Sequence, residues 1–180
     1  MGTRPIDRAS SDPVAIVTAA ICGVGREIAR ELAGRGYAIV VVYLHDRLAA
    51  EATVDEILAA NATAVAVRAD LTDELDVERL FTESNAAFGG VDVVVHTTIR
   101  GTALVNQHAA GRLRHGGAIV SVFTSNGITS DLADQLRARD VTVNGFTPGV
   151  EPPGRMLDTS EVLAILDRWR HGRADPGSRW

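Results

Sequence analysis

The sequence predicts an α/β fold, in which a doubly wound parallel sheet of about six strands is covered by helices on both faces. Short apolar runs alternate along the chain with segments of helical periodicity. The apolar runs are continuous rather than alternating, which is typical of strands buried on both faces. With 180 residues, 46% of them hydrophobic, the chain is long enough for one packed domain.

The first half of the chain predicts three strand–helix units. The first strand, 14–18, is a short apolar run that ends at a loop of small residues. The first helix, 26–35, places its apolar residues on one face and ends at Gly34 and Gly36. The same reasoning gives two further strands and two further helices, which are strands 38–43 and 64–69 and helices 48–60 and 75–88.

The second half continues the alternation. Its predicted strands are 91–96, 118–123 and 141–146, and its predicted helices are 104–114, 132–139 and 160–170. Gly116 and Gly117 are expected to end the fourth helix, and Ser160 is a suitable N-cap for the last one. We expect a single domain over residues 13–170, with loose ends at 1–12 and 171–180.

The composition of the chain argues against nucleic-acid and membrane partners and favours a cytoplasmic location. The net charge of −5 gives no electrostatic reason to bind nucleic acid or an anionic membrane surface. No apolar run approaches the ~20 residues of a membrane span, and the polar N-terminus has no signal-peptide pattern. The single cysteine, Cys22, excludes an intramolecular disulfide and favours a cytoplasmic location.

All 18 basic residues are arginine, so the sequence contains no lysine. Every mechanism that needs a lysine is therefore excluded for this chain, including Schiff bases and phosphate-binding lysines. The histidines and the cysteine have no metal-ligand spacing such as HxH, HExxH or CxxC, so a metal site is not expected.

A nucleotide site is predicted where the first strand meets the first helix. The turn between them contains small residues and two glycines, in the order Thr18-Ala19-Ala20-Ile21-Cys22-Gly23-Val24-Gly25. Backbone N–H groups at a helix N-terminus bind phosphate, and glycine lets the backbone approach the ligand. The expected contacts are Thr18, Ala19, Ile21, Gly23, Val24 and Gly25. The alternative is a tight turn that contains glycine for its own geometry.

This turn resembles the Thr-Gly-x-x-x-Gly-x-Gly motif of the short-chain dehydrogenase/reductase family, with Ala19 in place of the first glycine. The resemblance covers roughly residues 12–150. Within the family, the chain is similar to 3-oxoacyl-ACP reductase-like members. Further segments match in the family's order, namely Ala69-Asp70-Leu71-Thr72, Phe88–Val95, Gly116–Val120, Val141–Asn144 and Pro148-Gly149.

The resemblance implies a Rossmann-type strand order of 3-2-1-4-5-6 and an NAD(P) site. Asp70, with Leu71 beside it, would contact the adenine, and Pro148 and Gly149 would lie beside the nicotinamide. His96, at the end of the fourth strand, would also lie near the cofactor.

The residues after the second strand bear on the choice between NADP and NAD. An acidic residue there would bond the ribose hydroxyl of NAD, but Leu44 stands at that place. His45 and Arg47 lie nearby and would suit a 2′-phosphate, which favours NADP. The alternative for Arg47 is a solvent-facing residue at the start of a helix.

The family's catalytic pair, Tyr-x-x-x-Lys on the helix after strand five, has no counterpart. The two tyrosines, Tyr37 and Tyr43, lie before and at the end of the second strand. His96-Thr97-Thr98-Ile99 replaces the family's Asn-Asn-Ala-Gly stretch, and a second gap follows Asn126, so helices four and five are expected to be shortened. Thr124 or Ser125 matches the family's catalytic serine; the alternative is a strand-end hydroxyl that bonds local backbone.

Four functions follow as hypotheses. The first is a non-redox accessory or regulatory protein that binds a nucleotide. The second is an NADP-dependent oxidoreductase with unusual or partner-supplied residues. The third is a non-redox enzyme that uses His96 with Ser125, against which His96 is an ordinary strand-end histidine. The fourth is a decayed gene product in which cofactor binding is lost.

The resemblance also bears on assembly. Family members usually pair through the fourth and fifth helices, both of which are expected to be short here. Their truncation is expected to expose an apolar patch, which predicts an altered homodimer or a protein partner.

Overall fold

The computed structural model describes residues 12–122, 129–144 and 158–174. The strands are β1 (Val14–Val17), β2 (Ala38–Tyr43), β3 (Ala64–Arg68), β4 (Val91–His96), β5 (Leu113–Ser121) and β6 (Thr142–Asn144). The helices are α1 (Gly23–Gly34), α2 (Arg47–Ala59), α3 (Glu74–Phe88), α4 (Thr102–Arg112), α5 (Ser130–Ala138) and α6 (Thr159–Ala174).

The strands form one parallel sheet in the order β3-β2-β1-β4-β5-β6, which confirms the predicted fold class. The central strand β1 pairs with β2 and β4; Ala15, for example, lies opposite Ile39 on one side and Val93 on the other. All four residues of β1 are buried, as the continuous apolar run predicted. Strands β2 and β3 are added on one side of β1 and strands β4 to β6 on the other, so the carboxyl ends of β1 and β4 flank a topological switch point.

Helices cover both faces of the sheet and create two apolar layers. Side chains such as Ile16, Val94 and Ile119 pack against α3, α4 and α5. Their neighbours along the strands, such as Ala15 and Val93, pack against α1, α2 and α6 on the other face. Helix α6 is tied to the sheet by Trp169, whose Nε1 donates to the carbonyl of Gly116 at 2.9 Å.

The prediction around Gly116 and Gly117 was wrong. Helix α4 ends at Arg112, and β5 begins at Leu113, so both glycines lie inside the strand. Gly116 has a φ of +72°, and a Cβ on Gly117 would lie 2.7 Å from the carbonyl oxygen of Asp92. The pairing register between β4 and β5 shifts at this place. These glycines therefore mark a bulge and a close strand approach, rather than the end of a helix.

The last helix also differs from its prediction at both ends. Its N-cap is Asp158 rather than Ser160: the Asp158 carboxylate accepts from the backbone N–H of Glu161 at 2.9 Å. The Glu161 carboxylate accepts from the backbone N–H of Asp158 at 3.0 Å, which completes a capping box. The helix continues to Ala174, so residues 171–174 are not part of a loose end. No helix among the described residues is long and apolar enough to cross a membrane.

Candidate functional site

The connections that follow β1, β2, β3 and β4 converge on a cleft of about 270 Å³ at the carboxyl edge of the sheet. It is lined by Ala19, Ile21, Val42, Tyr43, Leu44, His45, Asp46, Ala69, Asp70, Leu71, Thr98 and Arg100. Apolar side chains make most of the walls, whereas the ionisable groups are confined to a few positions. A narrow apolar cleft with a few polar groups suits a flat, partly polar ligand such as a nucleoside.

The turn from β1 into α1 has open space beside it. Gly23 has a φ of +51°, and a Cβ added to it would meet nothing within 4 Å. The N-cap of α1, Cys22, makes no side-chain hydrogen bond to the helix, and it is exposed. The first N–H groups of α1 therefore have no capping side chain, and such groups favour an anion.

Gly25 is required for a different reason. A Cβ there would lie 2.6 Å from the carbonyl oxygen of Ala19 and 2.8 Å from Oγ1 of Thr97. Only glycine lets the helix approach the strand end and the β4 connection this closely.

Ala19 occupies a backbone conformation that glycine prefers. Its φ is +49°, in the left-handed region, and its side chain lines the cleft. A left-handed conformation costs a non-glycine residue roughly 1–2 kcal/mol. The position therefore has the backbone geometry expected for the first glycine of the resembled motif, with an alanine in its place.

The connection from β4 to α4 is short and fixed by local contacts. The backbone N–H of Thr97 donates to Oγ1 of Thr18 at 3.0 Å, and Oγ1 of Thr97 donates to the carbonyl of Thr18. Gly101 has a φ of +75°, and a Cβ there would lie 2.1 Å from the carbonyl oxygen of Leu71. The connection is thus held between the end of β1 and Leu71, which brings Arg100 into the cleft wall.

Asp70 is the fixed carboxylate of the cleft. Its Oδ1 accepts from the backbone N–H of Thr72 at 2.9 Å and from Oγ1 of Thr72 at 2.7 Å. These bonds lower the pKa of Asp70, with smaller contributions from the charges of Arg100 and His45. The carboxylate is therefore ionised at neutral pH, and it holds a defined orientation.

The residues after β2 divide between the cleft and the surface. Leu44 and His45 line the cleft. Arg47 does not line it: its side chain is 75% exposed, and its Nε donates to Oε1 of Glu51 at 2.7 Å. The expectation that Arg47 faces the ligand is therefore not supported, because the first turn of α2 directs it along the helix surface.

His96 lies in the core rather than in the cleft. It has no exposed surface, and its Nε2 lies 2.8 Å from Oδ1 of Asn106. Burial lowers the pKa of His96 to about 4, so the ring is neutral at physiological pH. This placement corrects its assignment as an acid–base or cofactor-binding residue, because the β4 register turns its side chain toward α4.

Neither tyrosine lies after β5. Tyr37 is 2% exposed, and burial raises its pKa to about 12. The guanidinium of Arg170 on α6 lies 5.4 Å from the centre of its ring, on the face of the sheet covered by α1. Tyr43 ends β2 and lines the cleft.

The structure brings together four of the predicted ligand contacts, Ala19, Ile21, Asp70 and Leu71, in the cleft wall. Thr18, Gly23, Val24 and Gly25 form the adjoining strand end and turn. Thr124, Ser125, Pro148 and Gly149 lie outside the described residues. Over the described ranges no three His, Cys, Asp or Glu side chains form a possible metal site.

Sequence reasoning missed Thr98 and Arg100. The signal was present in the short spacing between the end of β4 and α4, because so few residues must cross the carboxyl edge directly. The strong glycine requirement at Gly101 was a second signal.

Comparison with known proteins gives consistent matches. The short chain dehydrogenase family profile matches residues 13–112. The hydroxynaphthalene reductase-like protein Arp2 of Metarhizium majus is 32% identical over 185 residues, which cover 79% of this chain and 69% of that protein. The 3-oxoacyl-[acyl-carrier-protein] reductase FabG of Staphylococcus aureus is 28% identical over 179 residues, covering 75% of this chain and 73% of that protein.

Solved structures have the same fold. A dehydrogenase/reductase from Sinorhizobium meliloti 1021 superposes with a TM-score of 0.64 at 26% identity, covering 87% of this chain and 86% of that chain. A short chain dehydrogenase from Burkholderia cenocepacia J2315, in complex with NADP, superposes with a TM-score of 0.67 at 24% identity. That match covers 86% of this chain and 88% of the other.

Proposed function

This chain belongs to the short-chain dehydrogenase/reductase family, and we propose that it binds an adenine dinucleotide as a non-redox accessory or regulatory protein. The proposal has two parts. The nucleotide cleft is retained, and the residues that normally carry proton transfer in this family are missing.

The observation that carries the first part is the cleft itself. Its walls combine apolar side chains with the ionised Asp70, and the glycine turn beside it has open space at the N-terminus of α1. These features fit an adenosine group beside a pyrophosphate. When bound, a nicotinamide cofactor would supply hydride chemistry; the residues described here would bind and orient its adenosine half.

The second part rests on the tyrosines and on the lysine-free sequence. Tyr37 is buried beneath α6, and Tyr43 lies at the adenosine end of the cleft. Loss of a general acid typically removes 10²–10⁴ in rate. We therefore expect no ordinary carbonyl reduction by this chain alone.

We propose NADP as the preferred ligand. Leu44 lines the cleft where an acid would bond the ribose of NAD, and His45 lies beside it. The Burkholderia cenocepacia protein of the same fold was solved with NADP.

Thermal unfolding with and without NADPH and NADH tests binding. A ligand at 100 times its Kd stabilises the native state by about 2.7 kcal/mol, which raises Tm by several degrees in a domain of this size. We expect the larger shift with NADPH. No shift with either cofactor, in a protein that unfolds cooperatively, would refute the proposal.

A charge substitution tests the cofactor preference. Leu44→Asp places a carboxylate in the cleft wall, where it favours the ribose hydroxyl and repels a 2′-phosphate. We expect the NADPH shift to fall and the NADH shift to rise. Leu48→Asp is the matched control, since Leu48 is 79% exposed and does not line the cleft. Equal effects of the two variants would contradict the preference.

The second candidate function is an NADP-dependent oxidoreductase that acts with unusual or partner-supplied residues. It is favoured by the relatives, since the Staphylococcus aureus protein is named as a reductase and the Metarhizium majus protein as reductase-like. NADPH consumption against a panel of carbonyl compounds separates the two candidates. Turnover by the pure chain would refute the non-redox proposal.

The third hypothesis is a non-redox reaction at His96 and Ser125, and the burial of His96 removes its general base. His96 has no exposed surface and is bonded to Asn106. This imidazole is part of the core and does not line the cleft.

We also propose a protein partner or an altered homodimer in the cytoplasm. The apolar patch expected on α4 and α5 is not seen among the described residues, whose large exposed hydrophobic side chains are Leu48, Leu58, Leu75 and Ile99. Light scattering and co-purification test the assembly. A clean monomer without an associated protein would contradict it.

A further inference from the structure

Arg100 and Asp70 place a hydrogen-bond donor and an acceptor side by side in the wall of the cleft. One terminal nitrogen of Arg100 lies 3.8 Å from Oδ2 of Asp70. Both side chains line the cleft, and most of the surrounding lining is apolar. A purine base in this cleft would therefore meet an adjacent donor and acceptor at this pair, in addition to the polar groups of Tyr43, His45, Asp46 and Thr98.

Asp70 offers one free acceptor oxygen to the ligand. Its Oδ1 accepts two hydrogen bonds from Thr72, at 2.9 Å and 2.7 Å, which fix the plane of the carboxylate. Oδ2 is the oxygen that faces Arg100. The pair therefore presents a single acceptor next to a donor.

The backbone at Arg100 is held in place by its neighbours. The N–H of Arg100 donates to Oγ1 of Thr98 at 3.2 Å, and Oγ1 of Thr102 donates to the carbonyl of Ile99 at 2.9 Å. Gly101 lies so close to Leu71 that no side chain fits between them. Arg100 is thus presented to the cleft by a constrained connection rather than by a free loop.

The two purines differ at the edge that such a pair would contact. Adenine presents an amino donor next to the ring-nitrogen acceptor N7, whereas guanine presents two acceptors, N7 and O6. An acceptor beside a donor matches the adenine edge, in the way that a single Asn or Gln side chain does. On guanine, the Asp70 carboxylate would face another acceptor.

We propose that Arg100 is a specificity-determining residue that donates to a ring nitrogen of adenine while Oδ2 of Asp70 accepts from the neighbouring amino group. The proposal rests on the proposed function and adds a residue to it. Arg100 contacts the base, and its guanidinium neutralises the carboxylate when no base is bound.

The test is a set of binding constants for simple nucleotides, measured by titration calorimetry. The ligands are adenosine 5′-monophosphate, its 1-deaza and 7-deaza analogues, and inosine 5′-monophosphate. The proteins are the wild type, Arg100→Ala and Arg47→Ala. Arg47 is the matched control, because it is also an exposed arginine paired with a carboxylate but does not line the cleft.

We expect the wild type to bind either the 1-deaza or the 7-deaza analogue about 5- to 10-fold more weakly than adenosine monophosphate, depending on which ring nitrogen Arg100 contacts. This is the low end for a base-edge contact, because Arg100 is 65% exposed. Inosine monophosphate should also bind more weakly, since it lacks the amino group. In Arg100→Ala, adenosine monophosphate should lose a similar factor, and the deaza penalty should vanish. Arg47→Ala should behave like the wild type.

A deaza penalty of equal size in the wild type and Arg100→Ala would overturn the role of Arg100 and leave the proposed function standing. So would wild-type binding that is indifferent to both ring nitrogens. If the wild type binds neither adenosine monophosphate nor NADPH, the proposed function fails and this inference fails with it.

Discussion

The buried histidine predicts a specific loss of stability in mild acid. His96 has no exposed surface, and only Nε2 among its ring nitrogens has a hydrogen-bond partner, Asn106. Burial lowers the pKa of His96 from 6.5 to about 4 in the folded protein. The perturbation that tests this is His96→Asn, which retains a polar side chain but cannot titrate.

The sign and size follow from proton linkage. Above pH 6.5 the ring is neutral in both states, so the titration of His96 contributes almost no pH dependence to the free energy of unfolding. As the pH falls from 6.5 to 4, the unfolded chain takes up a proton on His96 and the folded chain does not, so unfolding becomes more favourable. A pKa of about 4 in the folded state gives a loss of about 3 kcal/mol at pH 4.

The assay is urea unfolding of both proteins between pH 7 and pH 4. Carboxylates also titrate in this range, so the informative quantity is the difference between the two free energies of unfolding. We expect the wild type to lose about 3 kcal/mol more than His96→Asn, whatever their offset at pH 7. His171→Asn, on the exposed surface of α6, reports the contribution of a histidine that is not buried. Parallel curves for the wild type and His96→Asn would refute the reasoning.

Three further predictions concern single positions. Cys22 is exposed at the N-cap of α1, where the phosphates of NADPH would lie, so saturating NADPH should slow the alkylation of its thiol. An unchanged alkylation rate with NADPH demonstrably bound would exclude a phosphate contact at this turn. Ala19→Gly should stabilise the fold by about 1 kcal/mol in urea unfolding because it relieves a left-handed alanine; a lower stability would mean that the methyl contacts matter more. Arg114→Met removes the cation 2.7 Å from the buried Asp92 carboxylate and should cost about 2 kcal/mol, less than a fully buried pair because Arg114 is 40% exposed. Pairing it with Asp92→Asn, which removes the carboxylate charge but keeps an acceptor oxygen for the backbone N–H of Val14, should recover part of that loss, and a further loss of similar size would argue against a charge effect.

The sheet was predictable because its strands carry a strong and simple signal. The bounds of β2 and β4 were predicted as the structure has them, because each strand is centred on a run of valines that is buried on both faces. The errors lie where glycine is compatible with more than one local structure. At Gly116 and Gly117 a strand bulge and a helix end have the same local sequence, and only the contact with Asp92 on the neighbouring strand distinguishes them.

The site was predictable only in part, because side-chain direction depends on register. Asp70 and Ile21 follow strands directly, so the topology alone brings them to the carboxyl edge. His96 also ends a strand, but the alternation along β4 turns it into the core with Val94. Arg47 lies one residue beyond the cleft wall, and its direction follows from the first turn of α2.

The proposed nucleotide binding and the family's proton transfer depend on different parts of the sheet. The cleft is built from the ends of β1, β2 and β3, together with the connection that crosses from β4 to α4. That connection is short, and it closes one wall of the cleft because Thr97 bonds to Thr18 and Gly101 packs on Leu71. The family's proton-transfer residues belong to the helix after β5, and the described part of that helix, α5, does not line the cleft. A chain can therefore lose that helix segment and keep the contacts that would select an adenine nucleotide, which is the physical basis for proposing a binding function without redox chemistry.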